Sequence, residues 1–205
     1  MDILRRAQNS LRGLLHRYAS EGVKRWMWNR EYAAGRWVCL DSMSDDCIIS
    51  HINAEARGGQ ILDMGCGPGT IGEAIDPSAY GEYLGVDISD VAIEKARCKS
   101  NRSQNRYVQG DMLTFQPPHA FDLIVFGDSL YYCSPSSALE TLRRYSQFLS
   151  QSGMFIMRSW VVGDHTRVIV GLIESEFAVT SKQWYDFQDP MLVIAFRPKE
   201  VISSS

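Results

Sequence analysis

A glycine-rich turn between a predicted strand and a predicted helix constrains the fold of this chain more than any other feature. The segment Gln60–Met64 is typical of a buried strand, and Gly65, Gly67 and Gly69 follow it before a helical pattern begins at Thr70. Glycines in such a turn allow positive φ and close approach of a ligand, and the helix N-terminus offers free N–H groups. In an open α/β sheet the ligand cleft lies at the carboxyl ends of the strands, so this turn is a predicted binding site.

The rest of the chain alternates predicted strands and helices, which is typical of a mostly parallel sheet with helices on both faces. The last two β-type runs, Val179–Phe187 and Met191–Arg197, predict an antiparallel hairpin. The other predicted strands are Gln60–Met64, Tyr83–Ile88, Tyr107–Gln109, Phe121–Phe126 and Met154–Trp160, and the predicted helices between them are Thr70–Ile75, Asp90–Asn101, Ser137–Leu149 and His165–Glu176.

The N-terminal region differs from the rest in charge. Residues 1–30 carry seven basic and two acidic side chains, although the whole chain has a formal net charge of −3. Apolar residues at helical spacing predict an amphipathic basic helix over residues 2–19. Such a helix either lies on the core or contacts an anionic substrate or the surface of a membrane. A second helix is predicted over 43–56. We expect a helical cap over residues 1–50 and a ligand-binding core over 51–205.

The composition is that of one globular domain, since 45% of the 205 residues are hydrophobic and 22% are charged. The mild net charge disfavours nucleic acid as the main partner. No apolar stretch approaches the ~18 residues of a membrane span, and the N-terminus lacks a signal-peptide pattern. The cysteines lack paired spacing, which predicts free thiols in the cytoplasm and no metal. The histidines form no metal-binding pattern: they are His16, His51, His119 and His165.

Two ligands compete for the glycine turn. The pattern Gly67-x-Gly69-x-x-Gly72, followed by Asp87, matches the dinucleotide fingerprint. Against that reading, Asp63 would place a negative charge near an approaching pyrophosphate, and Pro77 ends the following helix early. An NAD(P)-dependent oxidoreductase therefore stands as an alternative function.

A ligand with an ammonium group, a carboxylate and an adenosine suits the same residues better. Asp63 can attract the ammonium, directly or through water, and the amides of residues 65–69 can bind the carboxylate. Asp87 can accept hydrogen bonds from both ribose hydroxyls, and Asp111 can accept one from the adenine amino group. S-adenosylmethionine is such a ligand.

Four motifs carry a family resemblance in the expected order. Residues 61–70, 85–89, 110–112 and 121–126 resemble motif I, the ribose motif, the adenine motif and the fourth strand of class I S-adenosylmethionine-dependent methyltransferases. The resemblance implies a Rossmann-like three-layer sandwich with a seven-stranded sheet, and S-adenosylhomocysteine as product without a metal. It implies a donor site formed by Asp63, Gly65, Cys66, Gly67, Gly69, Asp87, Ile88, Asp111, Met112 and Trp37.

Within that family the chain resembles bacterial nodulation-factor N-methyltransferases and methyltransferases of polysaccharide biosynthesis. The residues that carry this likeness are Trp37-x-x-Leu40-Asp41 and Ser129-Leu130-Tyr131-Tyr132. The likeness implies a small-molecule or saccharide acceptor that is methylated on nitrogen or oxygen. A non-catalytic S-adenosylmethionine-binding partner protein is the second alternative, since no base is assigned with certainty from the sequence. The sequence does not indicate an oligomeric state.

Three residues near the predicted cleft are candidates for catalysis. Asp128 follows the fourth strand and can orient an amine or take a proton, although a loop cap is an equal interpretation. Tyr131 can place an aromatic face near the sulfonium, and His165 follows the fifth strand as the best-placed histidine for a base. The segment after the fourth strand lacks Asn-Pro-Pro-Tyr, which disfavours a DNA or glutamine acceptor. We also expect the aromatic cluster of Trp28, Tyr32 and Trp37 to cover the bound ligand.

Overall fold

Seven strands form one mixed sheet in the computed structural model, which describes residues 13–36, 47–160, 164–186 and 190–199. The strands are β1 Gln60–Met64, β2 Glu82–Asp87, β3 Asn105–Gln109, β4 Phe121–Gly127, β5 Leu149–Trp160, β6 Phe177–Tyr185 and β7 Met191–Pro198. Their order is β3-β2-β1-β4-β5-β7-β6. Strands β1 to β5 pair in parallel, and β7 runs antiparallel to both β5 and β6. The predicted sheet and its terminal hairpin are confirmed.

Helices cover both faces of the sheet. They are α1 over residues 13–18, α2 Glu21–Ala33, α3 Cys47–Ala56, α4 Thr70–Ala74, α5 Asp90–Lys99, α6 Pro135–Tyr145 and α7 Asp164–Glu176, with 3₁₀ turns at Leu130–Tyr132 and Ser146–Phe148. Residues 1–12 of the first predicted helix and 43–46 of the second lie outside the described residues. None of the helices in the described ranges is long and apolar enough to cross a membrane.

Two buried clusters, one on each side of the sheet, form the core. Ile124 and Phe126 of β4 pack with α6 and α7, while Leu123 and Val125 of the same strand pack with α3 and α5. Successive side chains of a strand point to opposite faces, so a strand covered on both sides must be apolar throughout. The architecture is therefore the expected three-layer α/β sandwich.

The boundary between α6 and β5 differs from the prediction. The helix begins at Pro135, where Ser134 accepts a hydrogen bond from the N–H of Ser137 as N-cap. Proline is favoured in the first helical turn because its missing N–H has no partner there in any case. The helix ends at Tyr145, and Leu149, predicted to be its last residue, is the first residue of β5.

Helix α2 docks onto the N-terminal part of α5. Asp90 accepts hydrogen bonds from Arg25 and Asn29, at 3.1 and 2.6 Å, and Lys95 Nζ donates to the Tyr32 carbonyl. These contacts hold the pKa of the Asp90 carboxyl down at about 2. The predicted cap over 1–50 stays a prediction, because α3 crosses its boundary and packs on the core.

The apolar side chains of α1 face outward. Leu15 is 39% and Tyr18 68% exposed, whereas His16 between them is only 4% exposed. Because Leu15 and Tyr18 are exposed, contact of α1 with the surface of a membrane stays a prediction. These exposures also show that a histidine, rather than the leucine stripe, is the side chain that α1 buries.

A single arginine holds the short helix that follows the glycine turn. Helix α4 has five residues, too few to be stable alone. The Arg102 guanidinium donates to three carbonyls at its C-terminal end, those of Gly72, Glu73 and Ile75. These bonds replace the partners that the last carbonyls of any helix lack.

Replacing Arg102 by Met should lower the free energy of unfolding by about 1.5–3 kcal/mol, because a charged donor is withdrawn from several carbonyls at once. Urea unfolding followed by circular dichroism measures the loss. Arg106→Met is the matched control, since Arg106 is exposed on β3 and its replacement should change stability by less than about 0.5 kcal/mol. Equal stability of the two variants would contradict this role of Arg102.

Candidate active site

A deep cleft opens at the carboxyl ends of β1, β2, β4 and β5. It encloses about 1170 Å³ when its open mouth is included. The glycine turn, the ends of the strands and the helices α1 and α2 all contribute to its walls.

The glycine turn takes a backbone path that other residues would strain. Gly65, Gly67 and Gly69 have φ of 83°, 54° and 79°. A Cβ on Gly67 would lie 2.8 Å from the Tyr32 hydroxyl oxygen. Tyr32 on α2 therefore rests directly on the turn, and the absence of a side chain at Gly67 is what allows this approach.

Asp87 at the end of β2 ties the turn to the next helix. One of its carboxylate oxygens accepts the N–H of Gly67 at 2.9 Å, and the other accepts the N–H of Ser89 at 2.8 Å. Each carboxylate oxygen can accept a further bond, so both stay available to a ligand. Burial raises the pKa of Asp87 to about 6, while the two backbone N–H groups work in the opposite direction.

Asp63 lies beneath the turn and does not line the cleft. Its carboxylate is fully buried, and the Tyr83 hydroxyl donates to one oxygen at 2.5 Å. The other oxygen has no hydrogen-bond partner within the described ranges. Burial raises the pKa of Asp63 to about 7. A ligand ammonium can reach this carboxylate only through water or a small movement of the turn.

The segment after β3 supplies another wall. Asp111 and Met112 both line the cleft, and Asp111 accepts the N–H of Leu113 at 2.9 Å. Arg144 and Tyr145 of α6 donate to the Met112 carbonyl at 2.6 and 3.1 Å. The turn that presents these side chains is therefore anchored from the opposite layer of the fold.

Asp128 and Arg158 form a buried ion pair in the cleft wall. Asp128 follows β4 with φ of 55°, a left-handed conformation that is uncommon for any residue but glycine. Arg158 of β5 donates to one carboxylate oxygen through Nε and Nη2, at 2.8 and 2.6 Å. Burial raises the pKa of Asp128 to about 7 and lowers the pKa of Arg158 to about 10.

Aromatic rings close the cleft next to this ion pair. Tyr131 and Tyr132, on the 3₁₀ turn after β4, lie with ring centres 4.5 Å apart. Trp28 of α2 meets the Tyr132 ring edge-on at 4.9 Å. His165 lies behind this turn, where its Nε2 is 2.9 Å from the Cys133 carbonyl and 3.2 Å from the Tyr131 carbonyl. Both distances place His165 as a donor that holds the turn.

The structure gathers most of the predicted site residues. Those that line the cleft are Gly65, Cys66, Gly67, Asp87, Ile88, Asp111, Met112, Asp128 and Tyr131. Asp63, Gly69 and His165 do not line it, and Trp37 lies outside the described residues. Trp28 and Tyr32 do line it, as the covering role requires. The individual roles of these residues stay predictions.

Sequence reasoning missed several residues of the cleft wall, among them His16, Lys24, Arg158 and Trp160. Arg158 carried a usable signal, because it is the single charged residue in the apolar run from Met154 to Trp160. His16 carried no such signal, since only the docking of α1 brings it into the cleft. Among the residues that the structure describes, no cluster of His, Cys, Asp and Glu could hold a metal ion.

Comparisons with known proteins agree with this site. A family described as a methyltransferase domain matches residues 61–153. The carboxy-S-adenosyl-L-methionine synthase of Sulfurimonas denitrificans is 24% identical over 133 residues, which are 63% of this chain and 56% of that protein. The match thus spans little more than half the length of that relative.

Solved structures extend the likeness to the whole core. A TehB-like S-adenosylmethionine-dependent methyltransferase from Corynebacterium glutamicum is 26% identical with a TM-score of 0.62, covering 82% of this chain and 97% of that one. The N-methyltransferase NodS of Bradyrhizobium japonicum, solved with S-adenosylhomocysteine, shares the fold at 20% identity and a TM-score of 0.64, covering 75% and 85%. The fold is that of Rossmann-like transferases, and the matched family covers residues 61–153 of this chain. The chain is therefore similar to class I S-adenosylmethionine-dependent methyltransferases.

The ion pair of the cleft wall has a measurable consequence for stability. Arg158→Met should cost about 3–5 kcal/mol of unfolding free energy, because it leaves the Asp128 carboxyl buried without its guanidinium. The double variant Arg158→Met with Asp128→Asn should lose less unfolding free energy than the two single variants together. The difference, which is the coupling energy of the pair, should be about 0.5–3 kcal/mol. Urea unfolding of both single variants and the double variant measures this.

The matched control is the surface pair of Lys182 and Glu174, which are 2.5 Å apart. The same cycle with Lys182→Met and Glu174→Gln should give a coupling below about 1 kcal/mol, since water screens exposed charges. Equal coupling in the two cycles would contradict the importance of burial at Asp128 and Arg158.

Proposed function

We propose that this enzyme transfers a methyl group from S-adenosylmethionine to a nitrogen or oxygen atom of a small molecule or saccharide. One observation carries the proposal. The glycine turn, Asp87, Asp111 and the segment after β4 all line a single cleft, so a donor and an acceptor can meet in it.

On this proposal, the donor lies along the ends of β1, β2 and β3. The amides of the glycine turn bind its carboxylate, and Asp87 accepts hydrogen bonds from the ribose hydroxyls. Asp111 accepts one from the adenine amino group, beside Met112. Asp63 acts on the ammonium from below the turn, through water. The buried carboxylates also attract the positive charge of the donor.

The acceptor enters next to the 3₁₀ turn after β4. Bound S-adenosylmethionine supplies an electrophilic methyl group. The chain has to hold the acceptor atom in line with that group and exclude water, and alignment of this kind is worth about 7–11 kcal/mol of the barrier. Tyr131 and Tyr132 offer ring faces that attract a sulfonium. The rings of Trp28 and Tyr32 shield the reacting atoms from solvent.

The walls of the cleft support a small acceptor. Helices α1 and α2 contribute His16, Lys24 and Trp28 to these walls, so the cap covers part of the space next to the glycine turn. The mild net charge of −3 gives no electrostatic attraction for nucleic acid. The fold shared with the N-methyltransferase NodS agrees with an amine acceptor.

A second candidate function comes from the carboxy-S-adenosyl-L-methionine synthase relative. A product that carries a carboxylate beside the sulfonium would need a cation in the cleft, and both Arg158 and Lys24 line it. The Arg158 guanidinium already pairs with the Asp128 carboxylate, so Lys24 is the cation that this candidate would use.

Calorimetric titration tests the donor site. S-adenosylmethionine and S-adenosylhomocysteine should bind with micromolar affinity, whereas NAD and NADP should not bind. Because the pKa of Asp87 is about 6, its carboxyl loses its charge below that pH and becomes a poorer acceptor for ribose hydroxyls. Affinity should fall from about pH 8 towards pH 5, because Asp63 loses its charge near pH 7 and Asp87 loses its charge near pH 6.

Asp87→Asn should weaken the binding of S-adenosylmethionine at neutral pH. It should also abolish the part of the pH dependence of affinity that is centred near pH 6. Glu94→Gln is the matched control, because Glu94 is an exposed carboxylate on α5 and its loss should change nothing. Unchanged affinity in Asp87→Asn would refute the ribose assignment, and dinucleotide binding would support the oxidoreductase alternative.

Transfer assays with methyl-labelled S-adenosylmethionine test the acceptor class. Pools of small amines and amino sugars should become labelled and release S-adenosylhomocysteine, while RNA, DNA and protein pools should not. Mass spectrometry of the nucleoside fraction distinguishes methyl transfer from the second candidate function. That function would convert S-adenosylmethionine to a derivative that carries one additional carboxyl group. Binding of S-adenosylmethionine without transfer to any pool would favour the non-catalytic partner protein.

A further inference from the structure

A buried histidine from the cap faces the methyl-transfer cleft. His16 of α1 lines the cleft although it is almost fully buried. Neither Nδ1 nor Nε2 has a hydrogen-bond partner among the described residues. Buried polar atoms are nearly always hydrogen-bonded in folded proteins, so the His16 imidazole has capacity left for a hydrogen bond to water or to a ligand.

The surroundings fix the orientation of the ring. The His16 ring packs against Trp28 at 4.7 Å and Tyr132 at 5.3 Å between ring centres. A Glu31 carboxylate oxygen lies 3.8 Å from Nε2, and Glu31 is itself buried, with 5% exposure. A carboxylate on this side of an imidazole favours the tautomer with the proton on Nε2, which leaves the Nδ1 lone pair as an acceptor.

The other candidate bases of the cleft are already engaged. Asp128 is held by Arg158, and the Nε2 of His165 faces two backbone carbonyls. His16 touches Tyr132, which adjoins the Tyr131 ring next to the predicted acceptor position.

We propose that His16, backed by Glu31, is the proton acceptor for the methylated atom, an inference that rests on the proposed function. The acceptor nitrogen or oxygen forms the new bond to the methyl carbon. The bond between that carbon and the sulfonium breaks, and its electron pair stays on sulfur as a neutral thioether. The proton of the acceptor atom passes to Nδ1 of His16, and Glu31 stabilises the resulting imidazolium until product release returns the proton to water.

Sinefungin provides a probe that needs no identified acceptor. In this analogue of S-adenosylmethionine, a carbon with an amino group replaces the methylated sulfonium, so the amine occupies the position of the transferred methyl. The wild-type protein should bind sinefungin about tenfold more tightly than S-adenosylhomocysteine, because His16 accepts a charge-assisted hydrogen bond from the amine. Calorimetry of both ligands gives the ratio of their affinities.

Two substitutions of His16 distinguish the roles of its two ring nitrogens. His16→Gln places its polar group where Nε2 lies and removes the acceptor at Nδ1, so the preference for sinefungin should fall close to one. His16→Asn keeps an oxygen near the position of Nδ1 and should retain most of the preference. Both variants should bind S-adenosylhomocysteine within about twofold of wild type. His119→Gln, an exposed histidine that does not line the cleft, is the matched control and should change neither ligand.

Two results would overturn the inference while the proposed function stands. One is an unchanged preference for sinefungin in His16→Gln. The other is equal weakening of both ligands in that variant, which is what a purely structural histidine gives. If the wild-type protein binds neither ligand, the proposed function itself fails.

A spectroscopic measurement covers the case in which the Gln variant does not fold. Nitrogen-15 spectra of wild-type protein with bound sinefungin, labelled at histidine, report which ring nitrogen carries the proton. We expect the proton of His16 on Nε2 and a hydrogen-bonded lone pair on Nδ1. A proton on Nδ1 would overturn the inference.

Discussion

The carboxylate of Asp87 holds together the parts on which the site depends. It binds the N–H of Gly67 in the glycine turn and the N–H of Ser89 at the start of α5. The next residue, Asp90, binds Arg25 and Asn29 of α2. One short segment at the end of β2 therefore positions the turn, the helix after it and the cap that closes the cleft.

Burial of acidic groups is the main electrostatic feature of the cleft. Asp63, Asp87 and Asp128 are all removed from water, and the pKa of each is raised as a result. A carboxylate in such a place is stable only with donors around it. Tyr83, two backbone amides and Arg158 provide those donors. The resulting site suits a cationic ligand that brings its own hydroxyl and ammonium groups.

Local patterns were sufficient to predict much of the fold and many of the residues that line the cleft. Strand β1 was predicted with its observed bounds and α5 with its observed start at Asp90, because apolar runs and helix-start signals act over short distances. The end of α6 was wrong, because Ser134 and Pro135 set its start and β5 takes up Leu149. The pattern on α1 was misleading, since its leucines face outward and His16 faces inward.

The sequence by itself determined the α/β class, the glycine turn and the order of the donor motifs. Each of these follows from residues that are close together along the chain. Only the tertiary structure decided that Asp63 lies under the turn, that Arg158 pairs with Asp128 and that His16 and Glu31 enter the cleft. Those contacts join residues far apart in sequence, and they depend on how α1 and α2 pack on the sheet, which no local pattern specifies.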